Sequence, residues 1–156
     1  MKVDRATLRM SESEVVAYLG ERRWARAATV SADAEPHVSP VGYVFLEGRL
    51  YFYSARSSPR TRNIAAGSRV ALCVDDGVGE RDGYRDRRGV VAHGTARLLG
   101  EDEPLLERVR PAYSRSLFGD PAVEVRRRTH VWIEVDPYRL TSWDFGRIPA
   151  GSDRFS

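Results

Sequence analysis

The residues best placed to do chemistry lie in one stretch, Leu50-Tyr51-Phe52-Tyr53-Ser54-Ala55-Arg56-Ser57-Ser58-Pro59-Arg60-Thr61-Arg62-Asn63-Ile64. An apolar run ends in a hydroxyl and an arginine, then meets Ser58-Pro59, a cap residue followed by proline in the first helical turn. Such a start presents free backbone N–H groups and the positive end of the helix dipole, so it attracts anions. Ser54 and Ser58 can donate hydroxyl hydrogens to phosphate oxygens, and Arg56, Arg60 or Arg62 can clamp a phosphate bidentately. A capped surface helix with solvated arginines would explain the serine but not three arginines around one helix start. On the residues alone, both readings stand.

The other reactive side chains form no constellation. His37, His93 and His130 lie far apart without metal-ligand spacing, so no metal site is expected. Cys73 is the only cysteine and sits in an apolar run, as a core thiol would. Trp24 and Trp132 read as core or interface residues. Asp75-Asp76 reads as a turn after a strand, and Arg126-Arg127-Arg128 as a solvated connection or a greeting for an acidic ligand. No residue stands out as catalytic.

The elements that position these groups follow from pattern. Ser11-Glu12-Ser13-Glu14 is a capping box, and Val15, Val16 and Leu19 carry a helix to Gly20. Strands are expected at Ala25–Ser31, His37–Leu46, Arg49–Ser54, Arg69–Val74 and Gly89–Leu99, with tight turns at Asp33–Pro36 and Glu47-Gly48. Residues 75–87 read as a polar loop. Pro111 splits residues 101–118 into two short helices. Thr129–Val135 and Tyr138–Trp143 form a last hairpin around Asp136-Pro137. This alternation predicts a mainly β protein, an antiparallel barrel with short peripheral helices. At 156 residues the chain fits one domain, with an ordered core over about 12–146 and a mobile tail over 147–156.

Composition excludes several classes. Hydrophobic residues make up 42% and charged residues 30%, as in ordinary globular proteins. A single cysteine rules out a disulfide framework within one chain. The opening MKVDRATLRMSESE has no apolar leader segment, so a cytoplasmic home is expected, and no apolar run suits a membrane span. The formal charge of +3 invites nucleic acid. Lys2, however, is the only lysine among 25 basic residues, and many arginines sit beside acids, as in residues 79–88. Interleaved charge of this kind is a solvated loop, and nucleic acid is not expected as a partner.

The order of segments resembles the pyridoxamine 5′-phosphate oxidase-like family of FMN-binding split barrels. The matching stretches are Ala27-Ala28-Thr29-Val30, Glu35-Pro36-His37-Val38, Pro40-Val41-Gly42-Tyr43, Leu50-Tyr51-Phe52, Ser58–Ile64, Arg69–Val74, Arg88-Gly89-Val90, Gly94-Thr95-Ala96 and Thr141–Phe145. The resemblance implies a split-barrel homodimer with cofactor sites between subunits and a small-molecule substrate. It implies phosphate contacts from Tyr53, Ser54, Ser58 and Arg60, with Arg56 and Pro59 in the same segment. The backbone of Ser39, Pro40, Val41, Gly42 and Tyr43 would lie along the ring system, and Trp143 would reach toward the cofactor at the subunit interface.

Departures from the pattern refine it. The vitamin-synthesising oxidases carry an arginine early in the second strand and a lysine at its end. This chain has Val38 and Tyr43 there, and Pro59 where those enzymes place another basic residue. The pattern resembles instead the actinobacterial branch that uses the deazaflavin coenzyme F420. The implied activity is hydride transfer from F420 to an unsaturated acceptor, with FMN as the alternative cofactor and a non-catalytic flavin or haem carrier as the alternative role. Tyr43, His37 and ordered water are the candidate proton donors.

Overall fold

In the computed structural model, which describes residues 4–149, six antiparallel strands close into one barrel. They are β1 (Trp24–Val30), β2 (Pro36–Leu46), β3 (Arg49–Ala55), β4 (Val70–Asp76), β5 (Arg88–Leu99) and β6 (His130–Asp144), in the order β1-β2-β3-β6-β5-β4. The helices α1 (Glu12–Glu21), α2 (Pro59–Ala65) and α3 (Leu106–Phe118) pack around it. The protein is therefore mainly β, as its strand pattern predicts. None of the described helices is long and apolar enough to cross a membrane.

Alternation along the strands sorts side chains to two faces. Ala25, Ala27, Val41, Tyr43, Leu50, Phe52, Leu72, Val90 and Ile133 fill the barrel, joined by Val15, Tyr18 and Leu19 from α1. The opposite face of β2, β3 and β6 offers Val44, Tyr51 and Trp132 to Leu106, Val109 and Tyr113 of α3, which form a second core. The Ser11 capping box is present: its hydroxyl accepts from the Glu14 N–H at 3.3 Å, and Glu14 Oε2 accepts from the Ser11 N–H at 2.7 Å.

Two sequence expectations are corrected. The last hairpin is instead a single strand, β6, running straight through Asp136-Pro137. The register against β5 slips between His93 and Gly94, which pair with Arg139 and Pro137 and leave Tyr138 as the extra residue of β6. A bulge tolerates proline because the rung it interrupts donates no ladder bond. Pro111 likewise does not split a helix. Residues 101–105 form turns, and α3 begins at Leu106 with Pro111 inside it. The carbonyl that Pro111 leaves without a helical donor belongs to Glu107, an exposed residue where water can serve it.

The segment expected to be mobile from residue 147 starts as a docked turn. Arg147 pairs with Glu14 at 2.5 Å and Ile148 is buried; residues 150–156 lie outside the described residues.

Candidate functional site

Inward alternation brings Ser39 of β2 and Ser54 of β3 to one end of the barrel, where α2 closes it. Ser58 caps α2, its hydroxyl accepting from the Thr61 N–H at 3.3 Å. The hydroxyls of Ser54, Ser58 and Thr61 share hydrogen bonds of 2.8–3.1 Å. Arg60 reaches across this cluster: Nε donates to Ser54 Oγ at 2.9 Å and Nη1 to Ser39 Oγ at 2.7 Å. Three predicted residues of the anion segment, together with Ser39, thus meet at one guanidinium.

The electrostatics of Arg60 set it apart. Several arginines of the described structure face a carboxylate, as Arg22 does Asp76 and Arg97 does Glu134, and many others are exposed to solvent. Arg60 has none among the described residues and is bonded only to hydroxyls. Burial pushes its pKa down, opposed only by the Tyr113 hydroxyl. A half-buried charge without a counter-ion is costly, and an anion arriving beside it would recover much of that cost. Because α2 has only seven residues, this guanidinium outweighs the helix dipole. The donor set fits a phosphate group: a forked cation beside three hydroxyls at a capped start.

The remaining candidates are more dispersed. Arg56 and Arg62 are exposed at the rim; Arg62 Nη1 donates to the Ser57 carbonyl, and the Arg56 N–H donates to the Thr129 carbonyl at 2.9 Å. Pro59 is exposed at the first position of α2. Tyr53 points to the opposite face of β3 from Ser54. Its hydroxyl accepts from the Arg127 N–H at 2.5 Å and donates to the Arg127 carbonyl at 3.1 Å. Its ring stacks on His130 at 5.0 Å and lies tilted against Trp132 at 4.9 Å.

Along β2, Pro40 is exposed, while Val41 and Tyr43 turn into the core. Tyr43 donates its hydroxyl to the Leu19 carbonyl at 2.8 Å, and burial raises its pKa. That hydroxyl is sealed away from the Arg60 cluster. Gly42 faces α3, where a Cβ would lie 2.6 Å from Leu117 Cδ1 and 3.3 Å from the Tyr113 hydroxyl. His37 is half-buried beside Thr29, and its Nε2 is buried with no hydrogen-bond partner among the described residues. Trp143 lies elsewhere in the chain, its ring flat over Gly89, where a Cβ would come within 2.3 Å of Cζ2.

Two neighbours of the cluster escaped the sequence reading. Tyr113 is one, although Leu106, Val109 and Tyr113 recur at helical spacing and mark the face turned to the barrel. His130 is the other. Burial, then the charges of Arg127 and Arg60, hold its imidazole below the usual histidine value.

The family model described as pyridoxamine 5′-phosphate oxidase matches residues 11–144. A reductase of 5a,11a-dehydrotetracycline and 5a,11a-dehydrooxytetracycline from Streptomyces rimosus is 40% identical over 88 residues, 54% of this chain and 61% of the relative. The match therefore spans less than two thirds of that curated relative. The crystal structure of a conserved hypothetical protein, Rv2991 from Mycobacterium tuberculosis, superposes with a TM-score of 0.80 at 26% identity, covering 99% of both chains. That of HutZ, a haem storage protein from Vibrio cholerae, gives 0.69 at 17% identity over 85% of this chain and 96% of its own, a likeness of fold.

Proposed function

The chain belongs to the pyridoxamine 5′-phosphate oxidase family, and on that footing we propose that it is a reductase using a phosphate-bearing flavin-type cofactor, coenzyme F420 before FMN. The observation that carries this reading is Arg60, held by Ser39 and Ser54 with no carboxylate partner among the described residues. Arg60, Ser54 and Ser58 would bind the phosphate, with Arg56 at the rim. Ser39 and Pro40 would begin the backbone edge along the ring, continuing through Val41 and Gly42. When bound, such a ring supplies hydride to an acceptor; the protein's part is to orient both partners and exclude water. Similarity to a reductase of an unsaturated ring compound supports reduction of a carbon–carbon double bond as the reaction class.

The preference for F420 rests on Val38 and Tyr43. Val38 offers no charge to the cofactor and is 64% exposed, while Tyr43 is wholly buried. A homodimer is part of the same proposal. Val38 of β2, opposite Ala28, stands 64% exposed with Val30 of β1 at 48%, and Trp24 stands 62% exposed at the other end of β1 beyond Arg26, on adjacent strands that a second copy would cover. Trp143 of the second copy would then approach the ring. Parallel fluorescence titrations with F420 and FMN test the reading. Saturable binding of F420, weakened at least tenfold by Arg60→Ala, is expected. Binding of haem with neither cofactor bound would replace the reading with that of a carrier.

A further inference from the structure

A small cavity of about 10 Å³ lies behind the connection that enters β6, between Leu99 at the end of β5, α3 and residues 125–127. That is room for one guest about the size of a water. Its polar walls are cationic. Arg56, Arg126 and Arg127 stand exposed around the mouth, and Arg110 of α3 is half-buried beside it. One acid, Glu101, faces them; four minus one leaves a local charge of +3. His130 also lines the cavity, but burial, then the charges of Arg127 and Arg60, hold its imidazole below the usual histidine value, so it adds no charge at neutral pH.

The acceptors on these walls are already engaged. Arg110 Nη2 donates to the Glu101 carbonyl at 3.1 Å, and Arg126 Nη2 to Glu101 Oε2 at 3.2 Å. The Tyr53 hydroxyl is taken by the Arg127 backbone. Arg110 Nε is left buried with no hydrogen-bond partner among the described residues. The guanidiniums of Arg56 and Arg127 have no carboxylate among them either. A buried donor without an acceptor is destabilising, and an anion accepts from every side without bringing a donor of its own. A water would also need acceptors for its two hydrogens.

We propose that this cavity holds one monatomic anion, a chloride ion, bound by Arg110 Nε and the guanidiniums of Arg126 and Arg127. Phosphate and carboxylate groups are too large for it. The ion ties the connection before β6 to α3, which gives two arginines of the Arg126-Arg127-Arg128 run a partner. The site does not rest on the cofactor reading. Arg60 is not among its walls, and Arg56 touches its mouth without being needed as a ligand.

Bromide is the probe in crystals of the full chain, because it scatters anomalously near its absorption edge. One anomalous peak is expected in the cavity, within hydrogen-bond reach of Arg110 Nε. In solution, chloride replaces gluconate at constant ionic strength, which holds screening fixed. The melting temperature should rise saturably, by about 3–6 °C at about ten times the Kd. Arg110→Met should lose that rise, and Arg115→Met, at an exposed arginine of the same helix, should keep it. Because Arg60→Met leaves the cavity intact, chloride contributes equally to that variant and to the unaltered protein wherever it is the reference salt. A cavity without anomalous signal in bromide, an equal rise in Arg110→Met, or no difference between chloride and gluconate would overturn the proposal. Should Arg110→Met fail to fold, the bromide peak in the unaltered protein decides alone.

Discussion

Replacing Arg60 with methionine separates a structural arginine from one kept for a ligand. The substitution keeps most of the apolar stem and deletes the guanidinium. It removes two hydrogen bonds to hydroxyls, each worth about 0.5–1.5 kcal/mol net. Ser54 retains its bonds to Ser58 and Thr61, so only Ser39 loses a mapped partner. Against that loss stands relief of a half-buried charge with no counter-ion, which burial already disfavours. The two effects oppose each other, so the ligand-free protein should change by no more than about 1 kcal/mol, or about 2–4 °C in melting temperature. Inorganic phosphate at about ten times its Kd should add about 1.4 kcal/mol to the unaltered protein and nothing to Arg60→Met. Thermal melts in phosphate and in sodium chloride of matched ionic strength read both quantities. A loss above about 3 kcal/mol without phosphate, or equal phosphate stabilisation of both proteins, would refute the reasoning.

Four further outcomes follow from the same physics. Gly89→Ala should push the Trp143 ring off its seat, since the new Cβ would sit 2.3–2.8 Å from three ring atoms; a loss of about 1–3 kcal/mol and red-shifted emission should be visible in denaturant melts. Glu14 has its carboxyl pKa lowered to about 2 from 4.5 by the Ser11 N–H and then by Arg147. Because the folded value is depressed, its stabilisation is present above pH 4.5 and is lost as pH falls toward 2; urea midpoints should drop across that window, and less so in Glu14→Gln. Glu134 is 5% exposed and accepts from Tyr51 at 3.1 Å and Arg97 at 2.8 Å, so Glu134→Leu should cost about 1–3 kcal/mol in the same melts. Trp24→Glu with Val38→Glu should turn the proposed homodimer into a monomer by light scattering; an unchanged mass would remove that face from the interface.

Local signals carried much of the fold. The Ser11–Glu14 reciprocity and the Ser58-Pro59 start are written in adjacent residues, and both caps form as read. Barrel closure was legible in the alternation of short strands. The misreadings fall where tertiary partners decide. Pro137 looked like a turn because nothing local says that β6 bulges beside it, at Tyr138, while still pairing with β5. Pro111 looked like a breaker because the exposure of Glu107 is a property of the assembled surface.

The site was half legible for the same reason. Ser54, Ser58 and Arg60 lie within seven residues, so pattern grouped them. Ser39 joins them only because β1 pairs β2 in the observed register and turns it inward toward Arg60. Tyr53 sits next to Ser54 yet belongs to the other face, where it anchors the Arg127 backbone. Gly42, suited by type to a ligand's approach, instead admits Leu117 and Tyr113 from α3.

The central claim is that Arg60 and its hydroxyls anchor a cofactor phosphate. A crystal structure of the protein grown with F420 tests it most directly. The account predicts a phosphate group within hydrogen-bond distance of the Arg60 guanidinium and the Ser54 or Ser58 hydroxyl. A phosphate bound elsewhere, with Arg60 still bonded only to Ser39 and Ser54, would contradict it.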